Sequence, residues 1–240
     1  MKPRTGRALT SVMVLLTLTT GMIEAVSFLV LGPVFAAVQT GNVLLLGFAI
    51  AGAPGISATV SGVSLAGFAF GAIAGSRLES AIDARGRRWF AGALMGEGLL
   101  LGAAALVIWR AGIESGPHGQ VDGRHLAVIA MVACAMGARN VTSLRAPVAD
   151  VPTTVTTRAL TGLLIVLPPL ASDSRVGGGA GSELRRAASV AAMFAGGLLG
   201  AWLLERAVHP ALALAVPAAL VLALGLGLAA LRRGRVSVPG

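Results

Sequence analysis

Apolar residues run along this chain in blocks too long for a soluble core. Eight apolar segments can be read: Leu9–Leu31, Val34–Ala53, Ile56–Gly75, Trp89–Trp109, Leu126–Leu144, Val151–Leu170, Ala187–Leu204 and Pro210–Leu231. Most approach the ~20 residues that a helix needs to cross a hydrocarbon core. Two are interrupted from within. Gln39-Thr40-Gly41-Asn42 breaks the second, and Thr153-Thr154-Val155-Thr156-Thr157-Arg158 breaks the sixth. Lipid supplies no hydrogen bonds, so irregular backbone at that depth must be buried in protein or line a wet cavity. An ordinary helix whose Thr and Gln side chains bond to its own backbone or to a neighbour is the simpler alternative.

The segments fall into two related sets of four. Gly21, Ser27 and Gln39-Thr40 correspond to Gly137, Ser143 and Thr156-Thr157. Phe68-Ala69, Gly71, Leu78 and Glu79 correspond to Phe194-Ala195, Gly197, Leu204 and Glu205. The Gly-rich stretch 171–186 reads as a flexible linker that lengthens the second set. The expected organisation is one membrane domain, 1–240, with half-repeats at about 8–110 and 125–231.

Basic residues choose between two topologies. If all eight segments cross, Arg77, Arg85, Arg87 and Arg88 fall on the side opposite the N-terminus. If the second and sixth segments instead enter and leave on one side, only Arg110, Arg124 and Arg206 remain opposite it. Lys and Arg concentrate on the cytoplasmic side, which favours the second arrangement. Each half then has three spans and one re-entrant or broken segment, and the halves are inverted. Both termini are expected in the cytoplasm.

Composition agrees with this class and removes others. Apolar residues make up 55% of the chain and charged residues 12%, and the mean hydropathy is +0.84. That leaves no room for a separate soluble domain. The net charge of +9 sits in loops and tails beside apolar segments, so it marks topology and does not point to nucleic acid. Cys134 is the single cysteine, which excludes an intrachain disulfide and a CxxC metal site. The basic start (Lys2, Arg4, Arg7) mimics a signal peptide, but the apolar run behind it is too long for one and has a counterpart in the second half.

Four ionisable residues interrupt apolar segments: Glu24, Glu97, Arg139 and Arg158. Each costs on the order of 3 kcal/mol at mid-bilayer, so each should face the interior. They can form structural ion pairs between the halves. Alternatively, a carboxylate can titrate during transport while an arginine holds an anion. Asn140, beside Arg139, can hydrogen-bond in both senses. Gly67, Gly71 and Gly75, and Gly196 and Gly200, mark faces where backbones can approach closely. Catalytic motifs are missing: there is no HExxH, P-loop or G-x-S-x-G. Glu114, His118, Asp122 and His125 share one loop but match no standard metal spacing, so a solvated loop is expected. No enzyme activity, metal or cofactor is expected.

Two stretches carry a resemblance. Gly21-Met22-Ile23-Glu24-Ala25-Val26-Ser27-Phe28 with Thr40-Gly41-Asn42 resembles the first signature of the YoaK family. Gly137-Ala138-Arg139-Asn140 with Asp150-Val151-Pro152-Thr153-Thr154-Val155-Thr156-Thr157 resembles its second. The likeness runs from about residue 8 to 231, and Asp150–Val155 is its most specific part. It implies a bacterial inner-membrane protein with about six or seven helices and no established substrate. The family usually has Asp where Glu24 stands and Gly where Arg158 stands, so an anion-binding Arg158 would be particular to this chain.

The expected protein is therefore an all-α integral membrane transporter or exporter of a small polar or anionic solute, with proton coupling open. A passive channel or a non-transporting scaffold subunit is the alternative. Substrate contacts are expected from Gln39, Thr40, Gly41, Asn42, Asn140, Thr154, Thr156 and Thr157, and coupling or ion pairing from Glu24, Glu97, Arg139 and Arg158. The expected partners are the lipid bilayer and the solute, with a homo-oligomer left open.

Overall fold

The structure is a computed structural model, and it describes residues 7–85, 89–114, 121–146 and 180–230. The described residues form helices and no strand. The helices are α1 (Arg7–Val30), α2 (Gln39–Ile50), α3 (Ala58–Ala84), α4 (Trp89–Ala111), α5 (Gly123–Arg145), α6 (Ala180–Glu205) and α7 (Pro210–Ala230). All except α2 are long and apolar enough to cross a membrane. A helix satisfies its own backbone, which is the condition for crossing lipid.

Two boundaries depart from the sequence reading. Helix α6 begins at Ala180, inside the Gly-rich stretch 171–186 expected to be a flexible linker, of which 171–179 lie outside the described residues. The apolar segment ending at Gly75 continues as helix to Ala84, through residues expected to form a loop. Its charged turns fold against α5. The Glu79 carboxylate accepts a hydrogen bond from the Thr142 hydroxyl and lies 3.4 Å from Arg145, which also reaches Asp83 at 3.4 Å. Tertiary partners hold a turn that hydropathy alone would end.

Two apolar clusters define the helix directions. One gathers Leu9 and Val12 of α1, Ile82 of α3, Trp89 and Phe90 of α4, Ala146 just past α5, and Leu224 and Leu228 of α7. This is the near face, where α1 begins. The other gathers Leu31, Val60, Ile108, Val128, Leu204 and Ala211 at the far face. Helices α1, α4 and α6 therefore run from near to far, and α3, α5 and α7 run back.

The tightest pairings are α1 with α6, α3 with α5, and α4 with α7. The first two are parallel and closed by glycine. Gly196 lies on the backbone of Leu18 and Gly200 on that of Met22; Gly67 lies on Ala130 and Gly71 on Cys134. A Cβ at Gly71 or Gly196 would collide with the partner's backbone. In lipid the hydrophobic effect does not drive helices together, so close van der Waals packing carries the association. The α4–α7 pair is antiparallel, with Gly98 against Leu222 and Gly225 against Met95 and Ala91.

Because α1 ends and α3 begins at the far face, the intervening residues leave and return on that face. Likewise α5 ends and α6 begins at the near face. Described basic residues sort the same way. Arg77, Arg85, Arg145, Arg185 and Arg186 belong to helix ends at the near face, and Arg110, Arg124 and Arg206 to ends at the far face.

Candidate functional site

After Val30 the chain turns back inward without helical structure and reaches Gln39, where α2 starts and carries it outward again. Glu24 lies six residues before the end of α1, about 9 Å into the helix bundle at 1.5 Å per residue. Its carboxylate accepts three backbone N–H bonds from the turn: Ala36 to Oε2 at 2.9 Å, and Ala37 and Val38 to Oε1 at 2.7 and 2.9 Å. Buried backbone donors without partners are costly, and here one side chain satisfies three of them.

Polar side chains complete the cradle. Asn42 is fully buried. Its Oδ1 accepts from Phe35 N–H at 2.9 Å, and its Nδ2 donates to Phe35 O at 2.6 Å. Ser64 of α3 donates to Phe35 O at 2.8 Å and accepts from Asn42 at 3.0 Å and from Gln39 at 3.3 Å. Gln39 also donates to Ala36 O at 2.7 Å, and Ser27 of α1 donates to Val34 O at 3.0 Å. Gly41 sits beneath the Phe35 ring, whose Cδ2 would be 2.6 Å from an added Cβ. Phe35 in turn packs on Phe28, with ring centroids 5.2 Å apart. Thr40 is exposed at the start of α2.

One turn earlier on α1, about 6 Å away, stands the second charged group. Arg139 of α5 is 1% exposed and Glu97 of α4 is 4% exposed. Arg139 Nε donates to Glu97 Oε1 at 2.8 Å, and Nη2 contacts the same oxygen. Nη1 donates to Leu16 O at 3.0 Å and to Thr20 Oγ1 at 2.7 Å. The pair thus joins α1, α4 and α5. Asn140 follows Arg139 and is half-buried.

The structure brings Glu24, Gln39, Gly41 and Asn42 into one polar cradle and makes Glu97–Arg139 an ion pair. Among the described residues, the hydrogen bonds of Glu24 come from backbone amides. Thr154, Thr156, Thr157 and Arg158 lie outside the described residues. Sequence reading did not single out Ser64, which braces the turn. Its signal was the pair of small hydroxyl residues Ser61 and Ser64 at helical spacing in an apolar run. It also placed the partners of Arg145 in a loop. That guanidinium lies 4.7 Å from the centre of the buried Trp89 ring.

The loop before α5 has a local role. Asp122 caps the helix, accepting from Arg124 N–H at 2.9 Å and His125 N–H at 3.1 Å, and its Oδ1 lies 2.8 Å from His125 Nδ1. Bonds from the His125 ring, then from the His125 and Arg124 amides, hold its carboxyl down to about 2. His118 lies outside the described residues.

Six long apolar helices around a buried polar interior define a multi-pass membrane protein. The chain belongs to the family described as protein of unknown function DUF1275, which matches residues 12–227. Comparison with curated proteins and with solved structures found no match.

Proposed function

We propose that this protein is a secondary transporter or exporter for a small polar or anionic solute, built from two inverted halves. The observation that carries the reading is the far-face re-entrant turn, a non-helical stretch at membrane depth held by Glu24, Asn42 and Ser64. Backbone of this kind inside a bilayer is a feature of transporter sites, where broken helices meet solute near the repeat interface.

Helix pairing supports the inverted halves. If α1 corresponds to α5 and α3 to α6, then the α1–α6 pair corresponds to the α5–α3 pair. Both pairs are parallel and closed by glycine. The corresponding helices run in opposite directions, and α4 meets α7 antiparallel across the centre. In this reading the second signature, with Asn140, Thr154, Thr156 and Thr157, contributes the matching half of the site. The YoaK likeness extends the reading to a bacterial inner membrane, and the excess of basic residues at the near face supports both termini in the cytoplasm.

The test is flux in proteoliposomes. Purified protein is reconstituted and screened with labelled amino acids, organic acids and inorganic anions, with and without a proton gradient. Saturable uptake that is reduced at least about tenfold by Asn42→Ala supports the reading. A full screen with no uptake above protein-free liposomes, by a protein that remains folded, overturns it. Uptake that ignores the proton gradient and survives Glu24→Gln with Glu97→Gln favours a passive facilitator.

A further inference from the structure

The two buried carboxylates are held in different ways. Glu97 faces Arg139, whose remaining donors are taken by a main-chain carbonyl and a threonine of α1. Neutralising Glu97 would leave a guanidinium uncompensated in a dry interior, so this pair acts as a fixed pin. Among the described residues, Glu24 faces amide N–H groups of the re-entrant turn. Those donors fill both of its oxygens on the side of the turn. A protonated carboxyl loses its charge and its hydroxyl oxygen is a poorer acceptor, so it holds the three amides less strongly than the carboxylate does.

The surroundings add no cation to Glu24 among the described residues. Helix α2 has no charged residue. The α3 charges Arg77, Glu79 and Asp83 lie toward the near face, with Arg145 of α5. Arg110, Asp122, Arg124, His125, Glu205, Arg206 and His209 lie at the far face. Arg139, one turn away, is occupied by Glu97.

We propose that Glu24 is the exchangeable proton site of the membrane interior, and that its protonation state sets whether the turn 31–38 stays seated. A proton from the far-face solution adds to one carboxylate oxygen. The amide that faced that oxygen loses its charge-assisted bond, and the turn is loosened enough to be released. Loss of the proton restores the three bonds. This deepens the transport reading by naming the proton as the coupling ligand, and it takes from that reading only that the turn lines the path.

The test uses two readouts on the full chain in detergent, neither of which needs flux. The first is infrared spectroscopy over the pH range in which the protein stays folded. Wild type minus Glu24→Gln should contain a carboxylic-acid C=O band that grows as pH falls, and wild type minus Glu97→Gln should contain none. The second is labelling of Ala37→Cys, in a Cys134→Ala background, by a water-soluble maleimide. Ala37 is 4% exposed, so labelling reports release of the turn.

The labelling rate, taken relative to that of an exposed cysteine at the same pH because the thiolate is the reacting form, should rise at least about tenfold as the band appears, the change expected from losing one charge-assisted hydrogen bond. With Glu24→Gln it should be high at every pH. If that variant does not fold, Glu24→Asp, which keeps a carboxylate, should retain pH-dependent labelling with a displaced midpoint. Wild-type labelling that ignores pH overturns the proposal. So does absence of the Glu24 band, which would mean that a cation outside the described residues keeps the carboxylate charged. A protein that moves no solute can still pass both tests, and a working transporter can fail them.

Discussion

The Glu97–Arg139 pair allows a quantitative test of the buried interior. Both side chains are almost fully enclosed, and Arg139 uses Nε, Nη1 and Nη2 on partners in α4 and α1. Replacing one partner leaves the other as an uncompensated buried charge, which costs about 3–5 kcal/mol. Glu97→Leu and Arg139→Met should each destabilise by that amount. The double replacement removes both charges together and should cost far less, about 0–2 kcal/mol, because apolar residues of similar volume can replace a buried ion pair. Thr20 and Leu16 lose little, since the Thr20 hydroxyl already donates to Leu16 O at 2.9 Å. The coupling energy should therefore be at least about 4 kcal/mol. Reversible unfolding of the four proteins in mixed micelles measures it. Single variants costing under about 1 kcal/mol, or effects that simply add, would refute the claim that this pair is dry and mutually dependent.

Further outcomes are expected. Gly71→Ala and Gly137→Ala should each destabilise by about 1–3 kcal/mol in the same unfolding assay, because the new methyl meets partner backbone. Gly62→Ala, with open space around it, should be neutral or stabilise by about 0.5–1 kcal/mol. Asn42→Ala strips both polar groups of Phe35 of the Asn42 amide and should cost about 1–3 kcal/mol, with faster labelling of Ala37→Cys as the local readout. The folded Asp122 carboxyl lies near 2, below its ordinary value of 3.8. Its contribution is therefore complete above about pH 4 and disappears as pH falls toward 2, which amide exchange in the first turn of α5 should follow and Asp122→Asn should abolish. In sealed vesicles, cysteines at Arg85 and Gly112 should label from opposite sides, and cysteines at Arg85 and Arg145 from the same side; the reverse pattern would remove the helix directions described above.

The class of the protein was legible in the chain because hydropathy is a local property. A run of apolar residues becomes a membrane helix whatever its neighbours are, and α1, α4, α5 and α7 begin and end close to where the apolar pattern does. The segment around Gln39–Asn42 was equally legible as an exception, since polar residues in an apolar run have few ways to be satisfied. Positions of arginines even indicated which ends share a face, because each charge avoids lipid independently of the fold.

What each polar group does was decided only in three dimensions. Nothing near Glu24 in the sequence says that its oxygens will meet the amides of residues 36–38, because that contact needs the chain to turn back after Val30. Asn42 and Gln39 looked like solute contacts, and in the fold their amides hold the turn against Ser64. Arg139 had two carboxylates to choose from, and packing of α4 against α5 gave it Glu97. Helix α3 outran its hydropathy because Thr142 and Arg145 came within reach of Glu79. Hydrogen bonds and ion pairs act over about 3 Å, so partners distant in sequence are assigned only when packed helices bring them to that separation.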